Sequence, residues 1–120
     1  MRDLTNNVVA ITGASAGIGA ATARALLAEG ASVAVGARRV QRLEELAASA
    51  PDRVAVVEMN VRNPADSKRL IAAAYEKFGR LDALVANAGI GAYGGIMDLD
   101  DDQLSEMMDT NIAGTVWPIR

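Results

Sequence analysis

The sequence predicts an α/β protein built as a doubly wound parallel sheet with helices on both faces. Three observations carry this. Short β-rich runs alternate with longer helical stretches in the order βαβαβαβ, followed by one more helix. The strands read as apolar on both faces, as in a sheet covered on both sides. The first strand runs straight into a glycine cluster that opens a helix. With right-handed crossovers, the expected strand order is 3-2-1-4.

Each element has its own warrant. Val8 to Thr12 (VVAIT) is a short apolar run that stops at the glycines. Gly17 to Glu29 has Ala-rich helical periodicity, and Gly30 suits the residue just past its end. Ser32 to Ala37 (SVAVGA) is the second strand. Val40, Leu43, Leu46, Ala47 and Ala50 then share one helical face, with Pro51 just beyond. Val54 to Glu58 is the third strand. Asn63-Pro64 opens the next helix with an N-cap residue and Pro at the first helical position. Leu70, Ile71, Ala74 and Phe78 give that helix an apolar stripe, and Gly79 ends it. Ala83 to Ala86 (ALVA) is the fourth strand, leading into a glycine-rich loop, Asn87 to Gly95. The last helix starts near Asp100, with Gln103 placed for a capping box.

Composition bounds the function. A chain of 120 residues with 51% apolar residues has room for one domain and enough apolar surface for a core. No apolar run is long enough to cross a bilayer, and the first residues lack the apolar core of a secretory signal. The expectation is a cytoplasmic protein with no membrane partner. Without cysteine there is no disulfide framework and no thiolate metal site; without histidine, His-based catalysis and most zinc chemistry are excluded. Twelve bases against fifteen acids give a net charge of −3, the wrong sign for a nucleic-acid footprint. Six acids and no base lie between Asp98 and Asp109, which reads as a solvated helix start whose carboxylates complement the dipole. The EF-hand pattern is absent there, and no metal is expected.

The strongest chemical signal is Thr12-Gly13-Ala14-Ser15-Ala16-Gly17-Ile18-Gly19. A chain that turns sharply after a strand, brings its backbone against a pyrophosphate and starts a helix with free N–H groups needs glycine at such positions. A Cβ at Gly13 or Gly17 would obstruct the approach, Gly19 would let helix and strand pack closely, and Ser15 could donate its hydroxyl to a phosphate. No Lys-Ser/Thr follows, so this is not a P-loop. An ordinary glycine-rich βα turn would share the composition.

Two further motifs follow in order: Asn87-Ala88-Gly89 after the fourth strand, and Asn111-Ile112-Ala113-Gly114 on the last helix. With T-G-x-x-x-G-x-G, they make the sequence resemble the short-chain dehydrogenase/reductase family over essentially its whole length. The resemblance implies a Rossmann-like, NAD(P)-binding domain over residues 1–120 and hydride transfer between a dinucleotide and a small-molecule carbonyl or alcohol. It places Ala16 and Ile18 in the phosphate-binding turn. It sets Asn87, Ala88 and Gly89 beside the ribose and nicotinamide, and makes Asn111 a member of a catalytic tetrad. It also implies a homo-oligomer.

Cofactor choice is argued from charge. An acid at the end of the second strand would bind the ribose 2′-hydroxyl of NAD, whereas Arg accommodates the 2′-phosphate of NADP. Here that strand ends Ala37-Arg38-Arg39 with no acid, so NADP(H) is expected over NAD(H), although a solvated helix start would also carry such arginines. Past the third strand the family has Asp-Val against adenine; this chain has Asn60-Val61, whose amide carbonyl can still accept from the adenine amine.

The tetrad's Ser and Tyr-x-x-x-Lys are not in the sequence: Tyr75 is followed four residues on by Gly79, and Tyr93 by Met97. Without that Tyr no general acid or base serves the carbonyl. The expectation is therefore the amino-terminal part of a longer oxidoreductase, truncated before those elements and inactive by itself. The alternative is a stand-alone nucleotide-binding or self-associating module. Ala83–Ala86 as an open sheet edge, with Leu104, Met107, Met108 and Ile112 on the last helix, is the expected surface for self-association.

Overall fold

The computed structural model describes residues 4–15, 17–87 and 100–119. Ala16, Ala88, Gly89 and Tyr93, and the side chains at positions 104 and 107, lie outside the described residues. Its strands are β1 (Val8–Thr12), β2 (Ser32–Ala37), β3 (Val54–Glu58) and β4 (Ala83–Ala86). They form one sheet in the order β3-β2-β1-β4, with every neighbouring pair parallel. The helices are α1 (Gly17–Ala28), α2 (Gln41–Ser49), α3 (Pro64–Phe78), α4 (Asp101–Met108) and α5 (Gly114–Ile119).

Strand alternation divides the core into two layers. Val9 and Ile11 of β1 join Val33 and Val35 of β2 against Ala23 and Leu27 of α1 and Leu43 of α2. On the other face, Val8 and Ala10 of β1 and Ala34 of β2 pack against Met59, Val61, Leu70 and Ala74. Small residues on this second face of β2 decide how closely α3 approaches. A Cβ on Gly36 would run into the thioether of Met59 and sit 3.4 Å from Leu70 Cδ1. Leu70 is fully buried by this arrangement, which stabilises the fold by roughly 2 kcal/mol.

Helix ends follow the local chemistry. The Asn63 side chain accepts from the Ala65 N–H at 3.0 Å, with Pro64 at the first helical position. At the other end Gly79 adopts φ +77° and donates its N–H to the Tyr75 carbonyl. Asp100 and Gln103 form a reciprocal capping box at α4.

The last helix departs from a regular α-helix. Between α4 and α5 lies a π-helical turn, Asp109–Ala113. It delivers Gly114 against Val61, where an added Cβ would stand 2.7 Å from Val61 Cγ2. Arg62 pairs with Asp109 across the same junction at 3.4 Å. Helical spacing in the sequence does not register this extra residue, and Gly114 packs against a loop some fifty positions away in sequence, on the order of a whole supersecondary unit.

β4 is held to β1 at its lower end by Asp82. The Val8 N–H donates to the Asp82 carboxylate at 2.8 Å, and the Asp82 N–H donates to the Val8 carbonyl at 2.8 Å. The Arg80 guanidinium grips the same carboxylate. That contact first, and the Val8 N–H second, hold the Asp82 carboxyl below its ordinary pKa.

Candidate functional site

In an open parallel sheet, ligands bind beyond the carboxyl ends of the strands. β1 ends there at Thr12, which is buried. Gly13 follows with φ +66° and Gly17 opens α1 with φ +60°, left-handed conformations that an L side chain rarely adopts. The Ala14 N–H donates to the Gly36 carbonyl at 3.3 Å, which ties the turn to β2.

Gly19 and Gly17 of the turn are glycine for different reasons. Gly19 is a packing position: a Cβ there would strike the Gly13 carbonyl oxygen and lie 2.6 Å from Asn87 Nδ2. Among the described residues nothing crowds Gly17, where an added Cβ would meet no atom within 4 Å. Its need for glycine is the positive φ. Gly19 is thus constrained by its neighbours in space and Gly17 by its own backbone.

Asn87 fastens β4 to this turn. Its backbone N–H donates to Thr12 Oγ1 at 3.1 Å, and its side-chain Nδ2 donates to the Gly13 carbonyl at 3.1 Å. The positions of Gly13, Gly19 and Asn87 are therefore mutually dependent. Ser15 is half-buried, and Ile18 is exposed at 78%. No acidic residue stands in the first turn of α1, so nothing there opposes an anion at the free N–H groups.

Two clefts flank the end of β2. One, of about 440 Å³, is lined by Arg38, Glu58, Met59, Asn60, Asp66 and Arg69. The other, of about 410 Å³, runs from Ala14 and Ser15 to Arg24, Arg42, Glu45 and Ser49. Arg38 and Arg39 are both exposed, and neither is ion-paired among the described residues. Asn60 is half-buried in the turn after β3, and Val61 is buried against Gly114. The Asn60 side-chain oxygen already accepts from the Arg62 N–H at 3.0 Å, a commitment the sequence did not disclose.

Asn111 lies half-buried in the π-helical turn, where its backbone carbonyl accepts from the Thr115 hydroxyl at 2.9 Å. Such turns recur at functional positions in helices. Arg24, Arg42 and Asp66 are cleft residues that sequence reasoning passed over. Asp66 had a signal, an acid in the first turn of α3; the two arginines had none, because only the packing of α1 beside α2 brings them together.

A dinucleotide fits this surface on its own terms. The turn has the two positive-φ glycines that a pyrophosphate approach needs, and among the described residues nothing crowds Gly17. Residues 7–120 match the family described as short chain dehydrogenase. The chain is 38% identical over 120 residues to an uncharacterised oxidoreductase of Staphylococcus saprophyticus, covering 99% of this chain and 49% of that protein. The fold superposes with a TM-score of 0.89 and 35% identity on an alcohol dehydrogenase from the archaeon Thermococcus sibiricus complexed with 5-hydroxy-NADP, covering 94% of this chain and 50% of the other. It superposes with a TM-score of 0.92 and 30% identity on a 3-ketoacyl-(acyl-carrier-protein) reductase from Brucella melitensis complexed with NADH, covering 98% and 49%. The chain spans about half the length of the curated relatives it matches.

Proposed function

Because this chain belongs to the short-chain dehydrogenase family, we propose that it carries the cofactor-binding portion of an NADP(H)-dependent oxidoreductase that interconverts a small-molecule carbonyl and alcohol. Gly13, Ser15, Ala16, Gly17, Ile18 and Gly19 hold the pyrophosphate through backbone N–H groups and the Ser15 hydroxyl. Arg38 and Arg39 take the 2′-phosphate, and Asn60 and Val61 border the base. Asn87, Ala88 and Gly89 lie toward the nicotinamide, and Asn111 is a positioning residue of the catalytic group. When bound, the nicotinamide supplies or accepts the hydride; the residues of this chain bind and orient it.

The carrying observation is the end of β2, where no acid stands at the strand's end, Arg38 borders a cleft, and Arg38 and Arg39 are exposed and not ion-paired among the described residues. The two structural relatives named above bear cofactors of both kinds, so the choice of NADP(H) rests on these residues. A planar guanidinium pairs with a phosphate and gains little from a ribose hydroxyl. Calorimetry tests this. The protein should bind NADP(H) more tightly than NAD(H), and Arg38→Ala should reduce that preference by about tenfold, the low end for a charge-assisted hydrogen bond at an exposed site. Equal affinity of the unmodified protein for both cofactors would refute the assignment of Arg38.

A further inference from the structure

We propose that Val61 and Arg62 are positioning residues for Asn111: they hold the π-helical turn at both of its ends and so set where the Asn111 side chain is presented. This rests on the reading of Asn111 given above and adds to it what aims that residue.

A π-helical turn carries one residue more than the α-helix around it. Moving that extra residue by one position would rotate the side chains it passes by about 100° around the axis. Asn111 therefore points in a fixed direction only if the turn is held where it starts and where it ends. Asp109 starts it, and the Gly114 N–H closes it on the Asp109 carbonyl. These two residues are the ones that meet the segment between β3 and α3. Asp109 Oδ2 accepts from the Arg62 guanidinium at 3.4 Å. Gly114 is buried, and an added Cβ would stand 2.7 Å from Val61 Cγ2 and 3.0 Å from Val61 Cβ.

Conformation does not call for glycine at 114. Its φ is −63°, an ordinary helical value, and alanine is the better helix former there. What excludes a side chain is the approach to Val61. The segment that does the holding is itself fixed. The Asn60 N–H donates to Asp66 Oδ2 at 3.0 Å, the Asn63 N–H donates to the Asn60 carbonyl at 2.9 Å, and the Arg62 N–H donates to Asn60 Oδ1 at 3.0 Å. From the far side the Thr115 hydroxyl donates to the Asn111 carbonyl at 2.9 Å. The ion pair is exposed at both partners and adds little to stability. Its effect lies in where it places the start of the turn.

The test follows the Asn111 side-chain amide signals by NMR in protein labelled at asparagine, with urea unfolding of each variant alongside. Arg62→Ala should displace these signals while leaving the urea midpoint nearly unchanged; a merely structural ion pair would show in the midpoint alone. Arg62→Lys, which keeps a cation for Asp109, should restore them. Gly114→Ala should displace them as well, and adding Val61→Ala, which removes the colliding methyl groups, should bring them back. Asn111 signals that stay in place in folded Arg62→Ala, or a Gly114→Ala displacement that Val61→Ala does not reverse, overturn the proposal. Should Gly114→Ala fail to fold, the Arg62 variants decide. Calorimetry with NADP separates the two levels. Signals that do not respond to these substitutions overturn the positioning while NADP binding stands, whereas a folded, unmodified protein that does not bind NADP overturns the functional reading and this role with it.

Discussion

Gly19→Ala puts the packing of the glycine-rich turn to a quantitative test. Helix propensity alone makes alanine the better residue, by about 1 kcal/mol. The structure opposes this. The new Cβ would strike the Gly13 carbonyl oxygen and stand 2.6 Å from Asn87 Nδ2, and overpacking against backbone costs about 1–3 kcal/mol. If Asn87 swings away, its hydrogen bond to Gly13 is lost as well, at about 1 kcal/mol. The net expectation is destabilisation by about 1–3 kcal/mol, a sizeable share of the roughly 5–15 kcal/mol that holds a domain together. Urea unfolding followed by circular dichroism measures it as a fall in midpoint at constant slope. A double-mutant cycle sharpens the result. Once Asn87→Ala has removed one of the colliding groups, Gly19→Ala should cost less than it does alone. Gly17→Ala should instead cost about 1 kcal/mol from its left-handed backbone, with no coupling to Asn87. A Gly19→Ala protein as stable as the original would refute the packing argument.

Asp82→Asn should lower the melting temperature at neutral pH. The folded-state pKa of Asp82 is depressed by Arg80 and the Val8 N–H, so its contribution is full above the ordinary carboxylate value of about 3.9 and disappears as pH falls through the lower folded value. Melting curves of variant and original should therefore converge below about pH 4; a gap that persists in acid would contradict the account. Ala83–Ala86 lies at the end of the sheet order and Met108 and Ile112 are exposed, and the chain is expected to self-associate through this edge and helix face into a symmetric dimer. Light scattering should show Met108→Asp as monomer or aggregate, and a stable monomer of the unmodified protein would count against this surface.

The sheet and its helix ends were legible because each is decided locally. All four strands are apolar runs bounded by turn residues, and the ends of α3 are announced by Asn63-Pro64 and Gly79. The strand order followed from handedness. Of the site, the glycine turn was legible as a motif, but the distinction between Gly17, a conformational requirement, and Gly19, a packing requirement, needed the neighbours in space. Asn87 is anchored twice, through its backbone N–H to Thr12 and its side-chain amide to Gly13, which its residue type does not announce. Features set by contacts between distant segments stayed hidden. Gly114 meets Val61 beside the π-helical turn, and the Asn60 amide oxygen is taken by the Arg62 N–H. Neither residue type alone signals which of its groups the fold will use.

The central claim is that a dinucleotide lies across the carboxyl ends of β1, β2 and β3, from the glycine turn to Asn60. Titration of isotopically labelled protein with NADP, followed by amide chemical shifts, tests it most directly. Saturable shifts should concentrate at Ser15, Gly17, Ile18, Arg38, Asn60 and Asn87. Saturable shifts confined to the groove between α3 and α5, where Tyr75, Leu81 and Trp117 lie, or no saturable shift in the folded protein, would contradict it.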